Sequence, residues 1–121
     1  MPPDPAPTPD ALPDALPDVL VVLCTCPDEP TATGIATALL AAELAACVNC
    51  VAGIRSLYRW EGQIRDDTEV MLVIKTSAAR YGALETLVRA RHPYEMPEII
   101  ALPVVAGARD YMDWIRQATG A

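Results

Sequence analysis

Two pairs of cysteines, one histidine and the two glutamates that follow it are the residues of this chain whose types and spacing could perform chemistry. Cys24 and Cys26 stand two positions apart, Cys47 and Cys50 stand three apart, and His92 is the single histidine of the sequence. Thiolates, imidazoles and carboxylates can all bind metal ions, with different preferences among the metals. The residue types therefore permit a metal site, and the C-x-x-C pair raises thiol redox chemistry as a second possibility.

The stretch from His92 to Val105 joins the histidine, two glutamates and a strand bounded by prolines. His92 precedes Pro93, and the residue before a proline is biased away from the helical conformation. We therefore expect His92 in an extended connection between a helix and a strand over residues 98 to 105. There a neutral ring can bind a metal, but the same ring can instead cap the preceding helix or lie at a subunit interface.

The surroundings of the cysteines bear on the choice between metal, redox and packing roles. Residues 19 to 26 form an apolar, β-branched run that predicts a buried central strand, in which Cys24 can be a small core residue as well as a ligand. Cys26 lies on the same strand face and adds to the case for a soft metal. Cys47 and Cys50 are expected at the end of a helix, whereas a redox thiol is activated at a helix start.

The composition restricts the classes of function. The chain has 121 residues, 52% of them hydrophobic, and a net charge of −7, to which residues 1 to 18 contribute four aspartates. The remainder carries −3 without a basic stripe, so nucleic acid is not an expected partner. The sequence offers no serine, histidine and aspartate set and no phosphate-cradling glycine loop, and we predict that the protein is not an enzyme.

The first 18 residues contain seven of the twelve prolines and repeat the sequence Asp-Ala-Leu-Pro. This composition predicts a disordered, proline- and aspartate-rich tail over 1 to 18, followed by one domain over 19 to 121. The tail lacks the basic start and apolar run of a signal peptide, and no stretch reaches the roughly 20 apolar residues of a membrane helix. We therefore expect a cytoplasmic protein with reduced cysteines and no membrane partner.

The elements that must position the candidate residues alternate between strand and helix patterns. After the first strand, Asp28 can cap a helix that should run to about Cys47. Two long extended runs, over 48 to 60 and 64 to 76, flank the turn at Glu61 and predict a β-hairpin.

A second helix should run from a Ser77 cap to about Arg91, followed by the strand over 98 to 105 and a last short helix capped by Asp110. The order β-α-β-β-α-β-α predicts an α+β, ferredoxin-like sandwich with a long hairpin and a C-terminal helix. The hairpin's second arm is apolar on both faces, and one layer of helices covers only one face of a sheet. The other face therefore needs a cover.

Several segments resemble the CutA divalent-cation-tolerance family. They are Leu23-Cys24-Thr25-Cys26-Pro27-Asp28-Glu29, Leu44-Ala45-Ala46-Cys47-Val48-Asn49, Ser56-Leu57-Tyr58-Arg59-Trp60-Glu61-Gly62, Val73-Ile74-Lys75-Thr76 and His92-Pro93-Tyr94-Glu95-Met96-Pro97-Glu98. The resemblance runs from about residue 20 to residue 116, and its Tyr-Arg-Trp-Glu-Gly and His-Pro-Tyr segments are specific.

The resemblance implies a ferredoxin-like homotrimer whose long hairpin reaches a neighbouring subunit, which would cover the open sheet face. It also implies copper binding, possible as Cu(II) or Cu(I) but not obligatory, at Cys24, His92 and Glu98. The alternative is a trimeric signalling or scaffold protein that binds a small molecule or a protein partner in clefts between subunits. In both cases Tyr58, Trp60 and Glu61 can line a ligand pocket or simply pack between subunits.

Overall fold

The computed structural model describes residues 17–120, and the first 16 residues of the predicted tail over 1 to 18 lie outside the described residues. Eight elements follow in chain order. They are β1 (Val19–Cys26), α1 (Glu29–Ala41), β2 (Cys47–Trp60), β3 (Gln63–Ser77), a 3-10 turn (Ala78–Arg80), α2 (Tyr81–Arg91), β4 (Ile100–Pro103) and α3 (Arg109–Ala118). This order confirms the α+β, ferredoxin-like arrangement predicted from the sequence.

The four strands form one antiparallel sheet in the order β2-β3-β1-β4. The two central strands, β3 and β1, pair over eight residues, and Cys24 lies opposite Leu72 in that register. Strand β4 pairs with the other edge of β1, where Ile100 lies opposite Leu23. The strand that carries the C-x-C pair is therefore hydrogen-bonded on both sides and held in a fixed position.

The core lies between the sheet and helices α1 and α2. Apolar residues four apart on each helix, Ile35 and Leu39 on α1 and Leu84 and Val88 on α2, are fully buried, as expected for one helical face. Alternate residues of β1 and β3 complete the same cluster: Val22, Cys24, Cys26, Val70, Leu72 and Ile74. Cys24 and Cys26 thus belong to the packed core, and period-two alternation places both on the helix-covered face of the sheet.

Helix α1 begins as the sequence predicts and ends earlier. The Asp28 carboxylate accepts a hydrogen bond from the Thr31 amide at 2.8 Å, which confirms the predicted cap. The expectation that the helix continues to about Cys47 was wrong, because Glu43 adopts a left-handed conformation (φ 57°) and the Leu44 amide bonds back to the Leu39 carbonyl. These two features end the helix at Ala41 and leave Cys47 free to begin β2.

Three further boundaries differ from the sequence-based expectation. Ser77 does not cap a helix; a 3-10 turn intervenes before α2, and the Ser77 hydroxyl instead accepts from the Thr119 hydroxyl at 3.1 Å. Strand β4 covers four residues rather than 98 to 105, so Glu98 precedes the strand. Helix α3 begins at Arg109, and Asp110 lies in its first turn, where its carboxylate accepts from the Tyr111 amide.

The hairpin of β2 and β3 confirms the prediction and extends away from the core. Its tip turns at Glu61 and Gly62, both with positive φ (51° and 76°), as a type I′ turn requires. Large apolar side chains near the tip are exposed, Ile64 by 78%. No helix within residues 17–120 is long and apolar enough to cross a membrane.

Candidate metal centre

Strand β1 ends in the two cysteines whose spacing suggested a soft-metal site. The Cys24 and Cys26 side chains point to the same face because they are two residues apart on a strand, and both are fully buried. The hydrogen bond between the two thiols, together with burial, raises the pKa of Cys24 above its ordinary value of 9.0. The same hydrogen bond lowers the pKa of Cys26.

His92 reaches the same place from the end of α2. Pro93 stops the helix, and His92 takes an extended conformation (φ −78°, ψ 135°) at the helix C-terminus, as the sequence predicted. The ring then lies against β1, where Nε2 is 2.8 Å from the Thr25 carbonyl oxygen. The side chain is buried, although 67 residues separate it from Thr25.

The hydrogen bonds of the ring determine its tautomer. The Tyr94 backbone amide donates to Nδ1 at 3.1 Å, and an amide N–H can only donate, so Nδ1 carries a lone pair and no proton. Nε2 then carries the proton and donates to the Thr25 carbonyl. His92 is therefore a neutral imidazole whose orientation is fixed by hydrogen bonds to two backbone groups.

Together, these three side chains form a compact group of possible ligands. The Sγ atoms of Cys24 and Cys26 and a ring nitrogen of His92 all lie within 4.8 Å of one another. No other group of three or more His, Cys, Asp or Glu side chains in residues 17–120 meets this condition. The structure thus brings together Cys24 and His92, two of the three ligands that the family resemblance implied.

Glu98, the third implied ligand, lies beside this group and outside it. It is close enough for its charge to contribute to the raised pKa of Cys24, after the effects of Cys26 and burial. Its side chain lines a neighbouring groove, and it is not among the three groups that lie within 4.8 Å of one another. Cys26 occupies the third position instead, and the alternation of β1 is the signal in the sequence that puts it there.

The second cysteine pair has a different environment. Cys47 and Cys50 lie at the start of β2, not at the end of a helix as expected, and residues three apart on a strand point to opposite faces. Cys50 is exposed, and the pKa of its thiol is raised by partial burial and by the nearby Cys26 and Glu29. A raised pKa reduces the thiolate fraction, so neither the geometry nor the electrostatics supports a redox pair.

An open groove of about 770 Å³ adjoins the cysteine and histidine group. One wall is the hairpin segment from Arg55 to Trp60, and the other is the segment from Pro93 to Glu98. At its base the Glu69 carboxylate, only 6% exposed, accepts a hydrogen bond from the Tyr94 hydroxyl at 2.9 Å. Tyr94 therefore contacts both the cysteine and histidine group and the groove. Its backbone amide is hydrogen-bonded to the His92 ring, and its hydroxyl is hydrogen-bonded to Glu69 in the groove.

These features define a class of protein: a small ferredoxin-like α+β domain with a buried thiol and imidazole group beside an open groove. A family model described as CutA1 divalent ion tolerance protein matches residues 20–118. The chain belongs to this family, which confirms the resemblance read from its motifs.

Individual relatives agree with the family assignment. The divalent-cation tolerance protein CutA of Thermus thermophilus is 49% identical over 100 residues, which are 83% of this chain and 97% of that protein. Human protein CutA is 48% identical over 95 residues, 78% of this chain and 53% of that protein. The solved structure of CutA1 from Shewanella sp. SIB1 is 42% identical, with a TM-score of 0.85 over 88% of this chain and 99% of that one.

Proposed function

We propose that this protein is a cytoplasmic homotrimer that binds copper, with Cys24 and His92 as the central ligands and Glu98 as a candidate third. The observation that carries the proposal is the approach of the Cys24 thiol and the His92 ring to within 4.8 Å, from elements far apart in the sequence. Thiolate and imidazole are both copper ligands. The relatives are named for tolerance of divalent cations, which agrees with a role in metal binding rather than catalysis.

The fit between the residues and a metal ion depends on the available lone pairs. Each thiol offers a lone pair once it loses its proton, whereas both ring nitrogens of His92 are hydrogen-bonded, Nδ1 to the Tyr94 amide and Nε2 to the Thr25 carbonyl. Binding through His92 therefore requires the loss of one hydrogen bond of modest net strength, about 1 kcal/mol. A metal–ligand bond readily offsets that loss, and the hydrogen bond at the other ring nitrogen would continue to orient the ring.

The surface of the single chain supports assembly. The sheet face opposite the helices carries half-buried apolar residues at alternate positions of the central strands, Val21 and Leu23 on β1 and Met71 and Val73 on β3. Within residues 17–120 no further strand pairs with the outer edge of β2 or β4, and the hairpin projects exposed apolar side chains. Packing with further copies would cover these surfaces, as the family resemblance implies.

The reduced state of the cysteines supports the proposed compartment. All four cysteines are free thiols, and the two in the core are enclosed by apolar residues. Free thiols persist in the reducing cytoplasm.

Equilibrium sedimentation at micromolar concentration should give about 39 kDa, three times the chain mass of 13.0 kDa, whereas a particle of 13.0 kDa would contradict the trimer.

Copper binding is tested by titration of the reduced protein with Cu(I), Cu(II) and Zn(II). We expect one copper ion per chain, with affinity reduced in Cys24→Ala and His92→Ala. Cys50→Ala is the matched control, because Cys50 is an exposed thiol outside the group. Unchanged copper affinity in both site variants would remove the proposed function.

The groove favours a second candidate function, that of a trimeric signalling or scaffold protein. Its volume of about 770 Å³ suits a small molecule, and it combines aromatic walls with the buried Glu69 carboxylate. A screen of small metabolites by thermal shift in metal-free protein tests this candidate. A ligand whose effect disappears in Glu69→Gln would support it, and no stabilisation by any compound would count against it.

A further inference from the structure

We propose that the groove beside the cysteine and histidine group binds a small organic cation, a primary ammonium ion with an apolar body, through the Glu69 carboxylate. This proposal rests on the second candidate function, the binding of a small molecule in the groove, and adds the charge and the chemical class of that molecule. Neither Cys24 nor His92 takes part, so the binding of the cation is independent of the binding of copper.

Glu69 is a buried carboxylate without a cationic partner. Only 6% of its surface is exposed, and none of the ion pairs formed within residues 17–120 includes it. Burial of a carboxylate is unfavourable unless hydrogen bonds and an opposite charge compensate for the lost hydration. The Tyr94 hydroxyl supplies one hydrogen bond but no charge. A cation that reaches Glu69 from the groove would supply the missing charge.

One oxygen atom of the Glu69 carboxylate is open to the groove. The Tyr94 hydroxyl donates to Oε2, and no residue between 17 and 120 donates a hydrogen bond to Oε1. In the same part of the chain, every fully enclosed side-chain oxygen or nitrogen atom has a hydrogen-bond partner. Oε1 is therefore not enclosed, and because Glu69 lines the groove, a ligand in the groove can donate a hydrogen bond to it.

Thr25 presents a second free acceptor to the groove. It is 8% exposed, and among the described residues its hydroxyl has no hydrogen-bond partner, although its carbonyl binds His92. Thr25 lies opposite Met71 in the pairing of β1 with β3, so period-two alternation puts the side chains of Thr25 and Glu69 on the same sheet face. An ammonium group has three N–H donors and no acceptor, which suits a carboxylate oxygen and a hydroxyl oxygen together.

Aromatic side chains of the hairpin lie on the same face as Glu69. Ile54 is opposite Glu69, and Tyr58 and Trp60 follow Ile54 by an even number of residues along β2. Both rings line the groove and are partly exposed. The face of an aromatic ring attracts a cation and also packs against an apolar group. A carboxylate at the base and aromatic rings along the wall therefore suit an amine that carries an apolar body.

The arginines of the hairpin do not neutralise Glu69. Arg55 and Arg59 contribute to the groove wall, but they alternate with the aromatic residues, so their side chains point to the opposite face of the hairpin. Both oxygens of Asp66 bind the Arg55 guanidinium there, at 3.0 and 2.7 Å. Arg65 shares the face of Glu69 but lies roughly 13 Å further along β3. The charge at the base of the groove therefore favours a cation over an anion.

A metal ion matches the groove less well than an ammonium ion does. Glu69 belongs to no group of three close His, Cys, Asp or Glu side chains in the described part of the chain. Hard metal ions take about six or more oxygen ligands, whereas an ammonium ion is satisfied by a few acceptors and an aromatic face. The groove volume of about 770 Å³ also leaves room for an organic body beside the charged group.

Three probes with the same phenethyl body and different charges test the ligand class: phenethylamine, phenethyl alcohol and phenylpropanoate. Isothermal titration calorimetry on the full-length, metal-free protein at neutral pH compares their affinities. The amine should bind at least about tenfold more tightly than the alcohol or the carboxylate, because only the amine can form a charged hydrogen bond with Glu69. Equal affinities of the amine and the alcohol, or tighter binding of phenylpropanoate, would overturn the inference.

Substitutions assign the binding to Glu69. Glu69→Gln keeps the shape of the side chain and removes its charge, so the affinity for the amine should fall at least about tenfold and that for the alcohol less than about threefold. Glu85→Gln, the same change on α2 outside the groove, is the matched control and should bind as the wild type does. Trp60→Leu should lower the affinity for the amine about 2- to 5-fold. Unchanged binding of the amine in Glu69→Gln would contradict the proposed site.

A measurement on the wild-type protein makes the test independent of folding in the variants. Nuclear Overhauser effects should connect the methylene protons of bound phenethylamine with the rings of Trp60 and Tyr94, and binding without these contacts would place the amine elsewhere and overturn the inference. If a cationic side chain of a neighbouring copy already neutralises Glu69, the amine will not bind, and this result would also overturn it.

The outcomes separate this inference from the function of the groove. If the alcohol or the carboxylate contacts Trp60 and the amine does not, the groove binds small molecules and only the class of ligand proposed here is wrong. If no probe binds and no metabolite stabilises the protein, the second candidate function fails and this inference fails with it. Neither result changes the expected titration with copper, which depends on Cys24 and His92.

Discussion

The hydrogen bond between Tyr94 and Glu69 is expected to stabilise the fold by an amount that can be measured. Glu69 is a carboxylate with 6% exposure, and the Tyr94 hydroxyl donates to its Oε2 at 2.9 Å. Tyr94→Phe removes the donor and keeps the ring. The carboxylate then remains buried without that donor. Leaving one buried partner unsatisfied costs more stability than removing both partners.

The exposures of Glu69 and Tyr94 set the expected loss in the free energy of unfolding. A hydrogen bond to a charged group contributes about 1.5–3 kcal/mol, and a partly exposed Tyr94 (38%) allows water to replace some of it, so we expect about 1.5 kcal/mol. Urea unfolding of the metal-free protein, at one fixed protein concentration, measures this loss in the free energy of unfolding. In a Glu69→Gln background, where the acceptor is neutral, the same substitution should cost about 0.5–1 kcal/mol.

The dependence of the free energy of unfolding on alkaline pH is a second measurement of the hydrogen bond between Tyr94 and Glu69. Burial and the Glu69 hydrogen bond raise the pKa of Tyr94 above 10.0, so the folded protein keeps a proton that the unfolded chain loses. A group whose pKa is raised by folding stabilises the folded state at pH values below its unfolded pKa. This contribution is lost as the pH rises through its folded pKa. Above pH 10 the wild type should therefore lose more stability than Tyr94→Phe. Equal slopes for the two proteins, together with the same cost of Tyr94→Phe whether residue 69 is Glu or Gln, would show that the hydrogen bond from Tyr94 to Glu69 does not stabilise the fold.

Three further substitutions test the fold. Leu72→Ala, in a fully buried site on β3, should lower the free energy of unfolding by about 2–5 kcal/mol in urea, and a loss below about 1 kcal/mol would contradict the packing described. Thr76→Val keeps the shape but leaves the Leu44 carbonyl without its 2.7 Å donor, so the same assay should show a loss of about 1–3 kcal/mol, and a neutral result would count against that bond. Glu61→Asn should raise the melting temperature, with a gain of about 0.5 kcal/mol, because Asn before Gly62 suits the type I′ turn; destabilisation would mean that the turn has another conformation.

Local patterns in the sequence were sufficient for most of the fold. Alternation and β-branched residues located β1 and both arms of the hairpin, and the Asp28 cap located the start of α1. The end of α1 could not be read because residues 42 to 46 are alanine-rich and favour continuing the helix. Helix α1 ends because Glu43 adopts a left-handed conformation and the Leu44 amide bonds to the Leu39 carbonyl. Those residue types do not predict this local geometry.

The candidate site was accessible to sequence reasoning only in part. Period-two spacing placed Cys24 and Cys26 on one face, and Pro93 placed His92 at the end of α2. The approach of the His92 ring to Thr25 depends on how α2 packs against the sheet, and no local pattern encodes a contact across 67 residues. For that reason the choice between Cys26 and Glu98 as neighbour of the other two ligands required the structure.

Anomalous diffraction at the copper edge from crystals of the copper-loaded, reduced protein would locate the bound ion in the structure. We predict one strong peak per chain, within about 2.5 Å of the Cys24 Sγ atom and in contact with the His92 ring. The same crystals would show whether Cys26 or Glu98 completes the site. A peak only at the exposed Cys50, or none in the space between Cys24 and His92, would show that these two residues do not form the copper site.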